Sequence, residues 1–132
     1  MTETPVSLSI LIVEDVAAVR EAIALILLDA GHRIERAENG EQAEAFLRDP
    51  QYNFDVVVTD LWMPGVDGLQ LLARWRSARP NTRFVVVSGG SRSMPLEVST
   101  AAAEARGADA VVFKPFEPEE LLAALTLPGP TG

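Results

Sequence analysis

The sequence predicts a doubly wound α/β domain, a five-stranded parallel sheet with helices on both faces. Three observations point there. Five short apolar runs alternate with five helix-like segments along the chain, the pattern of repeated βαβ units. The strongest runs, LSILIV, VVVT and FVVV, are apolar at nearly every position, as in strands covered on both faces. Several runs also stop abruptly at polar residues, and the carboxyl edge of an open parallel sheet is where its ligands bind.

In chain order, Leu8–Val13 is the first strand. A helix from Val16 to Ala30 follows, with Val19, Ile23, Ile26 and Leu27 at helical spacing and Gly31 as its stop. Arg33–Ala37 is mostly polar and reads as an edge strand, and Gly40–Arg48 is a short helix with Ala43, Phe46 and Leu47 on one face. Asp55–Thr59 is the third strand and Leu69–Arg79 the third helix, which Pro80 should end because it cannot continue the hydrogen-bond ladder. Arg83–Ser88, the fourth strand, leads through a Gly-Ser-rich loop to an alanine-rich helix, Leu96–Arg106. Ala110–Phe113 is the fifth strand. Glu117–Leu125 is the last helix, with Pro118 suited to its first turn.

A chain of 132 residues, 48% hydrophobic, suits one domain with its core over residues 8–125 and short tails. The tail TLPGPTG is too short for an output domain, so residues 1–132 are expected to form a single unit. There is no cysteine, which excludes disulfides and thiolate metal sites. With 11 basic against 19 acidic residues the formal charge is −8. Such a surface repels phosphates and anionic lipid, so neither direct nucleic-acid binding nor membrane binding is expected. No apolar run is long enough for a membrane span and no signal peptide stands out, hence a cytoplasmic location is expected. Nucleotide binding in the crevice is disfavoured, since neither GxGxxG nor a P-loop occurs.

Chemistry gathers at the strand ends. Glu14 and Asp15 end the first run, Asp60 the third, Ser88 the fourth and Lys114 the fifth. In a sheet ordered 2-1-3-4-5, strands one and three are neighbours roughly 5 Å apart. Carboxylates about 4 Å apart repel by roughly 4 kcal/mol at an effective dielectric of about 20. A hard divalent ion would compensate that repulsion, and Mg²⁺ favours one or two carboxylates plus waters. Each residue alone has a plainer role: Asp15 as a helix N-cap, Asp60 in an Asx-turn, Ser88 in a turn before Gly89-Gly90, Lys114 in solvent. Their coincidence at one sheet edge is what points to a phosphoryl and cation site, with Lys114 and Ser88 set to meet phosphoryl oxygens.

Glu14-Asp15, Asp60 with MPGVDG behind it, Ser88 and Lys114-Pro115 together resemble a response-regulator receiver domain of two-component signalling, chemotaxis-regulator-like, from Leu8 to about Leu125. The resemblance implies a flavodoxin-like (βα)5 fold with strand order 2-1-3-4-5. It implies Asp60 as phosphoacceptor, and Mg²⁺ (or Mn²⁺) on Asp15, Asp60 and the backbone carbonyl of Trp62, with Glu14 acting largely through water. A sensor histidine kinase or histidine phosphotransfer protein would donate the phosphoryl group, and a downstream protein target would read it. Such a domain catalyses its own phosphorylation and dephosphorylation without being a conventional enzyme. A homodimer through the last two helices is compatible with the sequence. The competing readings are a phosphorylation-independent scaffold and a Mg²⁺-dependent aspartyl-phosphate phosphatase. The phosphatase needs an acid two residues after the nucleophile, where Trp62 stands.

Two departures from the family pattern bear on switching. The aromatic expected three residues before the lysine is Val111, while Phe113 falls on the same sheet face nearer Lys114. The stretch from Ser88 to Lys114 is also long, with Gly89, Gly90, Ser91 and Ser93 in the loop and small residues such as Ala101–Ala103 in the helix. Movement of this loop and helix is one expected signal, the plainer alternative being a merely long loop. Trp62 is expected either to overhang the site and limit water or simply to pack as a surface tryptophan, and His32, the one histidine, to be plain surface.

Overall fold

The computed structural model describes residues 6–89 and 95–126. Five parallel strands form one sheet in the order β2-β1-β3-β4-β5: β1 (Ser9–Val13), β2 (Arg33–Ala37), β3 (Val56–Asp60), β4 (Arg83–Ser88) and β5 (Ala110–Phe113). The connecting helices are α1 (Ala17–Asp29), α2 (Gly40–Arg48), α3 (Gly68–Trp75), α4 (Leu96–Ala105), and the last, α5 (Pro118–Ala124), follows β5. The doubly wound fold and its strand order are those expected. Among the described residues, no helix is long and apolar enough to cross a membrane.

Strand alternation divides the core in two. Ile10, Ile12, Val56, Val58, Val85 and Val87 pack against α1 and α5 through Ile23, Leu27 and Leu121. Leu11, Val13, Val57, Phe84 and Val86 face the other way, onto Leu47 of α2, Leu71 and Leu72 of α3 and Ala103 of α4. Two-sided burial explains why the central strands read as unbroken apolar runs. β2 pairs only with β1 and keeps Arg33 and Arg36 exposed, as an edge strand does.

Most element boundaries fall within a residue or two of the expected ones. Gly31 follows α1 with φ +92°, and its N–H donates to Leu28 while that of His32 donates to Leu27, closing the helix. Pro118 occupies the first turn of α5. The exception is α3, which stops at Trp75 and passes through a turn before Pro80 is reached. Arg76, at the C-cap, is tied by its side chain to the segment that follows. Its guanidinium donates to the carbonyl of Thr82 and to Asp109, whose other oxygen accepts from the N–H of Phe84.

Candidate functional site at the carboxyl edge of the sheet

The register brings all the strand-end groups to one edge. Val13 lies opposite Thr59, so Glu14 and Asp15 come alongside Asp60; Asp60 lies opposite Val87 and Ser88 opposite Phe113, beside Lys114. Glu14 is fully buried and held at both ends. Its N–H donates to Ala37, its carbonyl accepts from Arg20 at 2.9 Å, and its Oε2 accepts from the N–H of Val16 at 3.1 Å. Its Oε1 meets Lys114 Nζ at 3.0 Å, and the same Nζ lies 3.3 Å from Asp60 Oδ1. Glu14, Asp15 and Asp60 each offer a carboxylate oxygen within 4.8 Å of the others. Ser88 is buried at the end of β4, where its carbonyl accepts from the N–H of Lys114.

One lysine does not balance three acids. Burial raises the pKa of Asp60, and the neighbouring Glu14 charge raises it further. The charge and hydrogen bond of Lys114 and the N–H of Leu61 only partly oppose this, leaving Asp60 at about 6 against an ordinary 3.8. For Lys114, burial pulls downward, but the Asp60 and Glu14 carboxylates outweigh it and hold the ammonium above its usual value. The ammonium is thus firmly charged beside a carboxylate under electrostatic pressure. A hard cation fits such a donor set, because it relieves the repulsion that lifts Asp60.

The MPGVDG segment builds the floor of the site. Gly68 opens α3 directly beneath Asp60, and a Cβ there would lie 2.4 Å from the Asp60 carbonyl oxygen. Its N–H donates to Leu61 at 2.9 Å, and Asp67 caps α3 in a reciprocal pair with Gln70. Gly65 takes φ +77°, a left-handed conformation that glycine adopts readily. Across the loop, Glu41 of α2 accepts from the N–H of Val66 at 2.9 Å.

Residues 10–126 match the family model of the Response regulator receiver domain. The chain belongs to the receiver domains of two-component response regulators. It is 35% identical over 117 residues to the transcriptional regulatory protein PhoP of Escherichia coli K12, covering 88% of this chain and 49% of PhoP. It thus spans about half the length of the curated relatives it matches. A CheY-like receiver of Methanospirillum hungatei superposes with a TM-score of 0.78 at 28% identity, over 89% of each chain. A Burkholderia pseudomallei response regulator, crystallised with a phosphorylated aspartic acid, calcium ion and citrate, gives 0.75 at 26%, over 92% of this chain and 68% of that one.

The remaining candidates fall into place on the same geometry, with one correction at His32. The Asp15 carboxylate stands with the other acids, and the N-cap of α1 is Val16, without a side-chain bond. His32 is not plain surface, because its Nδ1 accepts the N–H of Leu8 at 3.1 Å and ties the turn after α1 to the start of β1. Val111 is half-buried, and Phe113, 42% exposed, lines a shallow hollow with Glu97, Thr100, Ala101 and Glu104 of α4. Trp62 is anchored, its indole Nε1 donating to the buried Ser99 Oγ of α4 at 3.2 Å. Gly90, Ser91 and Ser93 lie outside the described residues. Ser99 and Arg20 escaped the sequence reading. The one signal for Ser99 was a polar residue on the small-residue stripe that includes Ala103.

Proposed function

We propose that this receiver takes a phosphoryl group on Asp60 from a phosphohistidine of a sensor kinase or phosphotransfer protein and thereby alters its binding to a downstream protein. The observation that carries the reading is the convergence of Glu14, Asp15 and Asp60 at the sheet's carboxyl edge, with Lys114 Nζ paired to Glu14 and Asp60. The phosphorylated aspartic acid and calcium ion of the Burkholderia relative support it. Glu14, Asp15, Asp60 and the Trp62 carbonyl would hold Mg²⁺ or Mn²⁺. When bound, the ion supplies positive charge at the transferring oxygens.

Near neutral pH Asp60 is largely ionised and acts as the nucleophile. One of its oxygens forms the new O–P bond as the P–N bond of phosphohistidine breaks, and the electron pair stays on the imidazole. Lys114 holds its charge toward a phosphoryl oxygen, and Ser88 offers its hydroxyl to another. Positioning and charge stabilisation dominate such a transfer. In dephosphorylation, a separate step, a water oxygen attacks phosphorus, the O–P bond to Asp60 breaks with its electron pair returning to the carboxylate, and phosphate leaves with the water's proton released to solvent. Phosphomonoester turnover is not part of the reading, because Trp62 offers no acid or base and its indole is engaged with Ser99.

PhoP is named a transcriptional regulatory protein. The acidic chain here, at −8, offers protein partners a better match than nucleic acid. Intact mass after incubation with acetyl phosphate tests the assignment. One phosphoryl group is expected, dependent on Mg²⁺ and absent from Asp60→Asn. No gain from acetyl phosphate or from phosphorylated kinases would shift the reading to a constitutive scaffold.

A further inference from the structure

α4 is weakly held. Among its described side chains only Ser99 and Ala103 are buried. They lie four residues apart on one helix face, and both are small. Among the described residues no side chain caps its N-terminus, where Pro95 stands. Glu97, Val98, Ala101 and Glu104 are exposed. Onto the narrow inner face comes the half-buried ring of Trp62, which joins the same cluster as Ala103 and donates from Nε1 to Ser99 Oγ.

The other end of this contact is stiff. Trp62 belongs to the loop between β3 and α3, two residues past Asp60. The far half of that loop is fixed by the Val66–Glu41 hydrogen bond, by the Gly68–Leu61 hydrogen bond and by the Asp67 cap. Gly40 presses against it so closely that a Cβ would fall 2.0 Å from the Val66 carbonyl oxygen. A change at Asp60 therefore has little slack to disappear into on the α2 side. Trp62 is the part of the loop that reaches the weakly held helix.

We propose that the Trp62–Ser99 hydrogen bond is the link by which phosphorylation of Asp60 is passed to α4. The proposal rests on the reading of Asp60 as phosphoacceptor. In the unphosphorylated protein the indole docks on Ser99 and holds α4 to the sheet. Phosphoryl transfer draws in the backbone at Trp62, the indole leaves Ser99, and α4 loosens. α4 is thus the two-state element, with differential contact to Trp62 separating its states. Ser99 acts as a positioning residue, and its hydroxyl touches no reacting atom.

The test is amide hydrogen exchange over residues 95–106, with and without acetyl phosphate plus Mg²⁺, with intact mass read on each sample. In the parent chain, phosphorylation is expected to speed exchange in this segment several-fold. Ser99→Ala should take up the phosphoryl group normally but exchange rapidly in both states, so the response disappears. Ser99→Thr, which keeps a hydroxyl, should restore it. Trp62→Phe, which removes the donor and keeps a ring, should abolish it again. A Ser99 of merely structural importance would raise exchange in both states and preserve the difference between them. An undiminished response in Ser99→Ala, with the mass gain present, overturns the link while leaving Asp60 as acceptor. Absence of any mass gain in the parent chain, with acetyl phosphate and with phosphorylated kinases alike, overturns both.

Discussion

Glu44 and Asp60 are two largely buried carboxylates in one small domain, with opposite surroundings. Glu44, on α2, has a side chain 8% exposed. Burial alone would raise its pKa, but hydrogen bonds from Trp75 and Arg74 and the charges of Arg74 and Arg48 outweigh it and hold it below the usual value. Asp60, with a side chain 12% exposed, has Glu14 for a neighbour and shares one lysine with it, and is pushed up to about 6. The first acid is satisfied by groups the fold itself supplies. The second is left under charge that a ligand can relieve. Burial is common to both, so it is the sign of the neighbouring charge that separates a structural carboxylate from a reactive one.

Removing Glu44 should produce the largest effect. Glu44→Ala removes the hydrogen bonds from Arg74 and Trp75 to a carboxylate, each worth about 1.5–3 kcal/mol, while the half-exposed Arg74 can rehydrate. It is therefore expected to lose about 3 kcal/mol in urea unfolding at neutral pH. The acid dependence has a definite sign. Since its folded pKa lies below the ordinary 4.5, Glu44 contributes stability above that pH, which fades as the pH falls through the lowered value. A Glu44→Ala chain whose acid unfolding parallels that of the parent would break the contrast.

Asp60→Asn should act in the other direction. A folded pKa of about 6 against 3.8 means that ionised Asp60 destabilises the metal-free protein above pH 6. That burden is relieved as the pH falls from 6 toward 3.8. Two units of pKa correspond to about 3 kcal/mol, a net figure in which the opposing Lys114 ion pair is already counted, and the uncharged amide should recover most of it. A gain of about 2 kcal/mol at pH 7.5 in EDTA is expected, dwindling toward pH 4. Equal stability of variant and parent across that range would mean that Asp60 is under no such pressure.

Each acid was legible from the sequence to a different degree. Asp60 stood out because it shares one sheet edge with the strand-end groups Glu14, Asp15, Ser88 and Lys114, and the glycine that opens α3 behind it marks where backbone passes too close for a Cβ. Glu44 was invisible. On a helix beside Ala43 and Phe46, a glutamate reads as solvent-facing, and only packing of α3 brings Arg74 and Trp75 onto it. Ser99 was hidden for the same reason, since its partner lies 37 residues away. The strands were readable because two-sided burial writes itself into composition. The end of α3 was not, because the helix stops at Trp75, ahead of Pro80, where Arg76 makes contacts with residues distant in sequence.

Cation binding sharpens the contrast at the next scale down. At ten times its dissociation constant, Mg²⁺ should raise stability by about 1.4 kcal/mol through mass action. The rise should be unchanged in Glu44→Gln and lost in Asp60→Asn, as read from thermal midpoints. Stabilisation that survives Asp60→Asn would place the ion elsewhere on this acidic surface.

The smallest effect tests which part of the Glu44 environment matters. Arg48 lies 3.7 Å from Glu44, four residues along the same helix, with its side chain 63% exposed. Arg74 donates to the same oxygen at 2.9 Å, and the indole of Trp75 bonds the other at 2.9 Å. If oriented donors hold Glu44 down, Arg48 adds only a screened surface charge. Arg48→Ala should then cost about 0.3 kcal/mol, vanish in high salt, and leave the acid midpoint almost unmoved. Trp75→Phe, which is uncharged, should shift that midpoint more than Arg48→Ala. The reverse ranking would mean that diffuse positive charge, rather than donor geometry, distinguishes Glu44 from Asp60.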